Sequence, residues 1–315
     1  MTSASLFTLT LIAVWSTVAV SFNVCLGYAG ILNMSTSAFL ALGAYLGVRG
    51  TGYWEWNGTL TLLLAVVVAA AVSWGFGALV LRARGLYFAL VTTGLALLVD
   101  AVATNWESFT GGAVGISTAG PPLEGNPPKP LTLLWFSFSE LHDYFILSVG
   151  LAAFSVATVS VVMRRRQGES WKAIREDEVL AASVGVSVPR EKRRVFVFTS
   201  VLTTCAGFVY GHVTGFLDPV TFAFAPTTVF PLAMVMLGGA GTLFGPILGA
   251  AFVIGLPEVL RDSTDYSQLI FGVLLLAVVL TAPRGVLGTL WRKWEESADR
   301  RQDTTRPRRG PNGRR

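Results

Sequence analysis

The stretch with the most chemical promise is "GGAGTLFGPILGAAF", Gly238 to Phe252, whose opening glycines have the look of a loop that cradles phosphate. Such a loop needs the pattern GxxxxGK[ST], the Lys neutralising the phosphates and the hydroxyl holding a magnesium ion. Neither follows here, and a GxGxxG count from Gly239 meets Phe244 at its last position. The segment carries no recognisable nucleotide motif. His142 and His212 stand far apart with no metal-spaced partner, and Cys25 and Cys205 sit in apolar runs as buried thiols. What remains are two groups of residues. Asn33, Ser35 and Thr36 are suited to hydrogen-bonding a carboxylate or a neighbouring helix, and the cluster Arg175, Glu176, Asp177 and Glu178 is suited to meeting a protein partner.

The elements that position these residues follow from composition. A 315-residue chain that is 52% hydrophobic and 14% charged, with mean hydropathy +0.59, has too few charges to clothe a soluble globule, where about a quarter charged is usual. It reads as an all-α integral membrane protein. The runs Leu6–Leu26, Leu60–Leu81, Leu86–Ala103, Phe145–Met163, Val195–Phe216 and Leu269–Ala282 are nearly free of charge. Most approach the roughly 20 residues that a helix needs to cross the hydrocarbon core. A β-barrel would instead show short alternating segments.

Charge sets the orientation. Nine of the 24 Lys and Arg lie in 164–194 and ten in 284–315. By the positive-inside rule both blocks, and the turn with Arg82 and Arg84, face the cytoplasm. The connection 104–143 carries Lys129 against Glu107, Glu124, Glu140 and Asp143, and is expected outside. Counting back from Arg84 through three crossings puts the amino terminus outside, with about nine spans in all, within a range of eight to ten. The basic stretch 284–315 reads as a disordered cytoplasmic tail favouring anionic lipid; no folded reader of nucleic acid accompanies it. Residues 1–283 are the membrane domain.

Glycine interrupts an apolar segment in each half. "GYAGILNMSTSAFLALGAY" (Gly27–Tyr45) carries Asn33, Ser35 and Thr36 within a span, and "VFPLAMVMLGGAGTLFG" (Val229–Gly245) has few apolar residues before Gly238 and Gly239. Paired interruptions of this kind mark translocation paths in transporters, so Asn33, Ser35, Thr36, Gly238 and Gly239 are candidates for lining one. Glycine also simply permits close packing. Gly207, Gly211 and Gly215, and again Gly241, Gly245 and Gly249, form successive GxxxG steps. In the cytoplasmic stretch 164–194, a single helix is expected from about Trp171 to Val184, supported by Lys172 and Glu176 at i, i+4 and ended at Gly185. It is either a lid on the membrane surface or a plug for a partner.

"WKAIREDEVLAASVGV" resembles the cytoplasmic coupling loop of ABC-importer permeases. With "GYAGILNMSTSAFLALGAYLG", "ARGLYFALVTTGLALL", "TGGAVGIS", "GFLDPVTFAF" and "MVMLGGAGTLFGPILGAAF" in that order, the chain resembles the branched-chain amino-acid ABC transporter permeases from about Leu6 to Pro283, specifically the subunit similar to the high-affinity leucine/isoleucine/valine permease. The resemblance implies the ABC-importer permease fold, two cytoplasmic ATPase subunits, a second related permease, an external solute-binding protein and a bacterial inner-membrane location. It assigns docking on the ATPase to Ala173, Ile174, Arg175, Glu176, Ala181, Ala182 and Gly185. It implies no cofactor and no chemistry on the solute. Where many members carry Gln, Gly and His in the first interrupted segment, this chain has Ile31, Ser35 and Thr36. Branched-chain or other hydrophobic amino acids are the expected cargo, with urea or short amides as the alternative. An ion-coupled secondary transporter would need ionisable groups deep in the bundle, and an enzyme a nucleophile with its base; the sequence offers little of either.

Overall fold

The computed structural model describes residues 3–80, 86–118, 131–133, 136–261 and 272. The expected last span, the basic tail and the Arg82/Arg84 turn lie outside those residues. In chain order the elements are α1 (Ser3–Asn23), α2 (Thr36–Val48), α3 (Gly58–Val80), α4 (Leu86–Asn105), α5 (Glu107–Thr110), β1 (Ile116–Ser117), β2 (Leu131–Leu133), β3 (Phe136–Phe138), α6 (Leu141–Met163), α7 (Arg166–Glu176), α8 (Glu178–Ser183), α9 (Val188–Thr214), β4 (Phe216–Leu217), α10 (Phe230–Gly238) and α11 (Gly245–Arg261). Two short antiparallel ladders, β1 with β4 and β2 with β3, lie in the segments that follow α5 and α9.

Six helical segments among the described residues are long and apolar enough to cross a membrane; α2 and α11 are shorter. The six divide by burial. The windows in α1 and α9 are 78% and 72% buried, whereas those in α3, α4 and α6 are 28%, 33% and 17% buried. So α1 and α9 form the centre, while the others turn apolar side chains such as Leu60, Leu63, Leu90, Leu97, Ile146 and Phe154 outward, where lipid solvates them.

The central pair runs antiparallel. Ser21 on α1 donates to the Thr199 carbonyl on α9 at 2.8 Å and lies 2.9 Å from the Thr203 hydroxyl. Some other hydroxyls in these helices return to their own backbone four residues earlier, as Thr10 does to Leu6 and Ser16 to Ile12, while Thr204 donates to the Phe39 carbonyl on α2 at 3.1 Å. In an apolar surround each polar group must find a partner inside the protein. Small residues then let α2 approach α9 in parallel. A Cβ on Gly43 would fall 2.1 Å from the Thr204 carbonyl oxygen, and one on Gly207 would fall 2.0 Å from that of Leu40. Phe196 anchors the same layer with Phe39 and Phe88 edge-on at 5.7 and 6.1 Å, contacts worth about 0.5–1.5 kcal/mol each beyond burial.

Two expectations change. Gly207 and Gly211 do pack on α2, but Gly215 (φ +72°) ends α9 in the left-handed region and belongs to no packing face. Likewise Gly245 and Gly249 lie against α10, while Gly241 (φ +85°) sits in the turn before α11. A regular GxxxG spacing here runs through a helix end in one case and a helix start in the other. The expected single cytoplasmic helix is also two. Asp177 adopts extended backbone (φ −158°, ψ 117°) and splits α7 from α8, because its carboxylate accepts the amide hydrogens of Val179 and Leu180 at 2.7 and 3.0 Å. Asp competes in this way with a continuing helix and favours a new start.

Candidate functional site

Both interrupted segments come to one place. After α1 the chain makes a π-turn over Val24–Tyr28 and runs without regular structure from Gly30 until α2 begins at Thr36. After α10 it turns through residues 239–244 before α11. Asn23 ties the two together: its Nδ2 donates to the Thr242 carbonyl at 2.8 Å, and its Oδ1 accepts the Gly241 amide at 2.8 Å. One turn on, a Cβ added to Gly27 would fall 2.4 Å from the Gly241 nitrogen. Only glycine allows that approach.

The third member of the junction is α7. Arg175 donates from Nη1 to the Gly27 carbonyl, and its guanidinium lies beside Gly241. Gly30, with φ +68°, passes close along the stem of the same side chain. A charged donor therefore covers a carbonyl that the break in the helix leaves without its usual partner.

The pair α7–α8 is itself fastened to the start of α9. Trp171 is buried and donates from Nε1 to Glu191 at 3.1 Å; Glu191 in turn pairs with Arg194, and Glu178 with Lys192. The end of α8 is set by Gly185 at φ +91°, with the amide of Val186 reaching the Ala181 carbonyl and that of Gly185 reaching Ala182. This double bond pattern ends a helix in the left-handed conformation that glycine adopts without strain. The amides of Leu180 and Val179 hold the Asp177 carboxyl below the usual carboxylate range.

Of the residues expected to dock a partner, Ile174 and Ala181 turn inward at 3% and 2% exposure and brace the pair against the bundle. Ala182 and Gly185 are exposed, Ala173 is half-buried, and Arg175 and Glu176 lie at the junction's rim. Three residues outside that set are strongly exposed and apolar: Val179 (74%), Leu180 (64%) and Val184 (72%). The candidate path residues are all enclosed. Asn33 Oδ1 accepts both the amide and the hydroxyl of Ser35, at 3.0 and 2.7 Å; Thr36 opens α2 and is buried. Gly238 and Gly239 are buried at the end of α10, where a Cβ on Gly238 would fall 1.9 Å from the Gly245 carbonyl oxygen. Asn33 and Ser35 thus lie within the first break and Thr36 at its far edge, Gly238 and Gly239 stand where the second break begins, and the junction itself is made by Asn23, Gly27, Arg175 and Gly241.

The sequence motifs do not single out Asn23, and they show Gly241 only as one member of a GxxxG step. An amide near the end of an otherwise apolar run was the available signal, since a polar side chain in a span needs a partner. Among the described residues no three His, Cys, Asp or Glu side chains group to hold a metal ion, and His212 lies between the Thr51 hydroxyl (2.9 Å) and the Phe208 carbonyl (2.8 Å).

Apolar helices around an enclosed central pair, with two interrupted helices meeting under a helical pair outside the bundle, define a multi-pass membrane transport protein. The chain belongs to the family described as the permease component of the branched-chain amino acid transport system, which matches residues 5–279. It is 31% identical over 297 residues to the high-affinity branched-chain amino acid transport system permease protein LivM of Escherichia coli, covering 88% of this chain and 68% of that one. It is 23% identical over 298 residues to LivH of the same organism, covering 89% and 92%. The autoinducer 2 import system permease protein LsrC of an Enterobacter species is 26% identical over 258 residues, covering 76% and 74%. No solved structure matches. The protein is a translocation subunit of an ATP-driven importer and not itself an enzyme.

Proposed function

We propose that this chain moves branched-chain or other hydrophobic amino acids across a bacterial inner membrane, with α7–α8 receiving the stroke of two cytoplasmic ABC ATPase subunits. The observation that carries this reading is the Arg175 junction. It joins the helical pair directly to both interrupted segments, while the latches at Glu178–Lys192 and Trp171–Glu191 join it to α9. Closure of the ATPase pair then displaces a docked helix, and the attached spans switch access between two states. Val179, Leu180, Ala182, Val184 and Gly185 form the surface offered to the ATPase, with Ala173, Ile174, Arg175, Glu176 and Ala181 shaping and anchoring it.

About nine crossings, an external amino terminus and a cytoplasmic carboxyl terminus complete the reading. It is supported by the positive-inside count and by α1 and α9 running in opposite senses from the end where α7 lies. An external solute-binding protein delivers the cargo, and a second related permease completes the pore; the resemblance to both LivM and LivH supports a pair of unlike permeases. Asn33, Ser35, Thr36, Gly238 and Gly239 border the path, with helix-terminal amides and hydroxyls near the solute carboxylate.

The test is initial uptake of labelled leucine in cells with and without this chain, the proton gradient collapsed and ATP maintained. Chain-dependent uptake that survives supports ATP-driven import of amino acids. Uptake that vanishes with the gradient overturns the coupling role of α7–α8, and no leucine uptake in either condition moves the cargo to amides or other small solutes.

A further inference from the structure

Beside the junction lies a cavity of about 710 Å³ whose polar wall is Tyr28, Ser160, Arg164, Lys172, Arg175 and Glu176. Three cations and one carboxylate converge there, a formal excess of two positive charges. Glu178 and Glu191 are taken by Lys192 and Arg194, and among the described residues no ion pair reaches Arg164 or Lys172. Arg175 spends one N–H on the neutral Gly27 carbonyl and keeps the other donors of its guanidinium. Gathering like charges around one concavity costs free energy unless an anion occupies it.

Depth narrows the anion. The cavity opens where α6 ends, Met163 and Arg164 marking the change from apolar span to basic stretch. In the orientation proposed above that is the headgroup level of the inner leaflet. Basic pockets between helices at this depth suit phosphate-bearing headgroups, and two hydroxyls, those of Tyr28 and Ser160, add donors that a phosphate oxygen accepts.

We propose that this cavity is a phosphate-binding site whose ligand is the headgroup of an anionic phospholipid or a free phosphate, and that occupancy ties the end of α6 to α7 and to the Gly241 turn. The ligand would bridge Arg164, Lys172 and Arg175 on two helices that the chain otherwise joins only by a short turn. The site is independent of which solute is carried.

The experiment uses the full-length chain purified in neutral detergent with the subunits that accompany it, reading the thermal unfolding midpoint. Three probes are titrated: short-chain phosphatidylglycerol, short-chain phosphatidylcholine and inorganic phosphate. A saturable rise of about 3–6 °C is expected with phosphatidylglycerol and none with phosphatidylcholine. A rise with phosphatidylglycerol alone identifies the lipid headgroup; a rise with inorganic phosphate as well shows that the free ion suffices. Both support the site. The R164Q/K172Q variant, whose changed residues are exposed, should keep or slightly raise its ligand-free midpoint, two like charges being gone, and should lose the rise with ligand. Should that variant not fold, Glu176→Gln serves instead, and by removing the opposing carboxylate it should lower the half-saturating concentration several-fold. No rise with either anion overturns the proposal, as does an equal rise in R164Q/K172Q or an unchanged half-saturation in Glu176→Gln.

Discussion

Arg175 donates a hydrogen bond from Nη1 to the carbonyl of Gly27, a residue 148 positions earlier in the chain. The bond joins a helix outside the bundle to the point where α1 loses its regular hydrogen bonding. Because the guanidinium also lies against the Gly241 turn, one side chain touches both interrupted segments. A displacement of α7 cannot leave either of them where it was.

The first prediction concerns that side chain. A hydrogen bond from a charged donor contributes about 1.5–3 kcal/mol, so Arg175→Ala should lower ATP-driven uptake about 10- to 100-fold. Arg175→Lys keeps the charge but not the planar fork, and should fall between. Membrane insertion is expected to be unchanged, since Arg175 is on the protein's surface. Uptake at the native rate in Arg175→Ala, with normal insertion, would remove the junction from the mechanism.

Glycine at the break should be distinguishable from glycine elsewhere. In Gly27→Ala the new Cβ would fall 2.0 Å from Asn23 Oδ1 and 2.4 Å from the Gly241 nitrogen, so Asn23 must release the turn it holds. Losing those two bonds costs about 1–3 kcal/mol, visible as a lowered unfolding midpoint. Gly75 lies within α3 and, among the described residues, has nothing within 4 Å of its would-be Cβ. Gly75→Ala should therefore leave the midpoint unchanged or raise it, the helix gaining about 0.5–1 kcal/mol in propensity. Equal responses from the two variants would mean that the junction is looser than described.

The gap between sequence and structure has physical causes that these residues illustrate. The apolar runs among the described residues, and an interruption by glycine within Gly27–Tyr45 and within Val229–Gly245, are legible, because hydropathy and glycine placement are properties of the chain alone. The pairing of the breaks was not. Asn23 is one polar residue in an apolar run, and nothing in its neighbours says that its partner is Gly241, 218 positions away. The GxxxG steps misled for a related reason, since spacing records a face only while the helix continues, and Gly215 and Gly241 lie beyond helix ends. In the sequence Asp177 is one charge in a cluster; its extended backbone depends on where the following amides lie.

Asp177 supplies a pH prediction. Its folded-state pKa is depressed by the amides of Leu180 and Val179, so the stability it lends the start of α8 is present above the ordinary carboxylate range and lost as pH falls through the depressed value. Hydrogen exchange at the amides of Val179 and Leu180 checks this, each rate divided by that of Asp177→Asn at the same pH. The native chain should protect both amides better than the variant at neutral pH, and the advantage should shrink toward one in acid. A ratio that does not change with pH would show that the carboxylate is not the cap.

The last prediction separates the two faces of α8. Leu180 is 64% exposed and Ala181 only 2% exposed, so a change at each position reports a different interaction. Leu180→Glu should leave the unfolding midpoint of the chain within about 0.5 kcal/mol of native, as surface substitutions usually do. Association with the ATPase subunits should fail, because an apolar contact would become a buried, unpaired charge. Ala181→Leu forces three more carbons into an enclosed position, and overpacking of that kind costs about 1–3 kcal/mol. It should lower the midpoint even without the ATPase. Gly185 completes the comparison. It has open space around its would-be Cβ but a backbone at φ +91°, so Asn, which tolerates that region, should transport nearly normally. Gly185→Trp should insert in the membrane yet abolish uptake, its ring blocking the docking surface beside Val184. Normal transport by Gly185→Trp would sink the docking role of α8, whereas failure of both Trp and Asn would place the requirement in the turn's backbone instead.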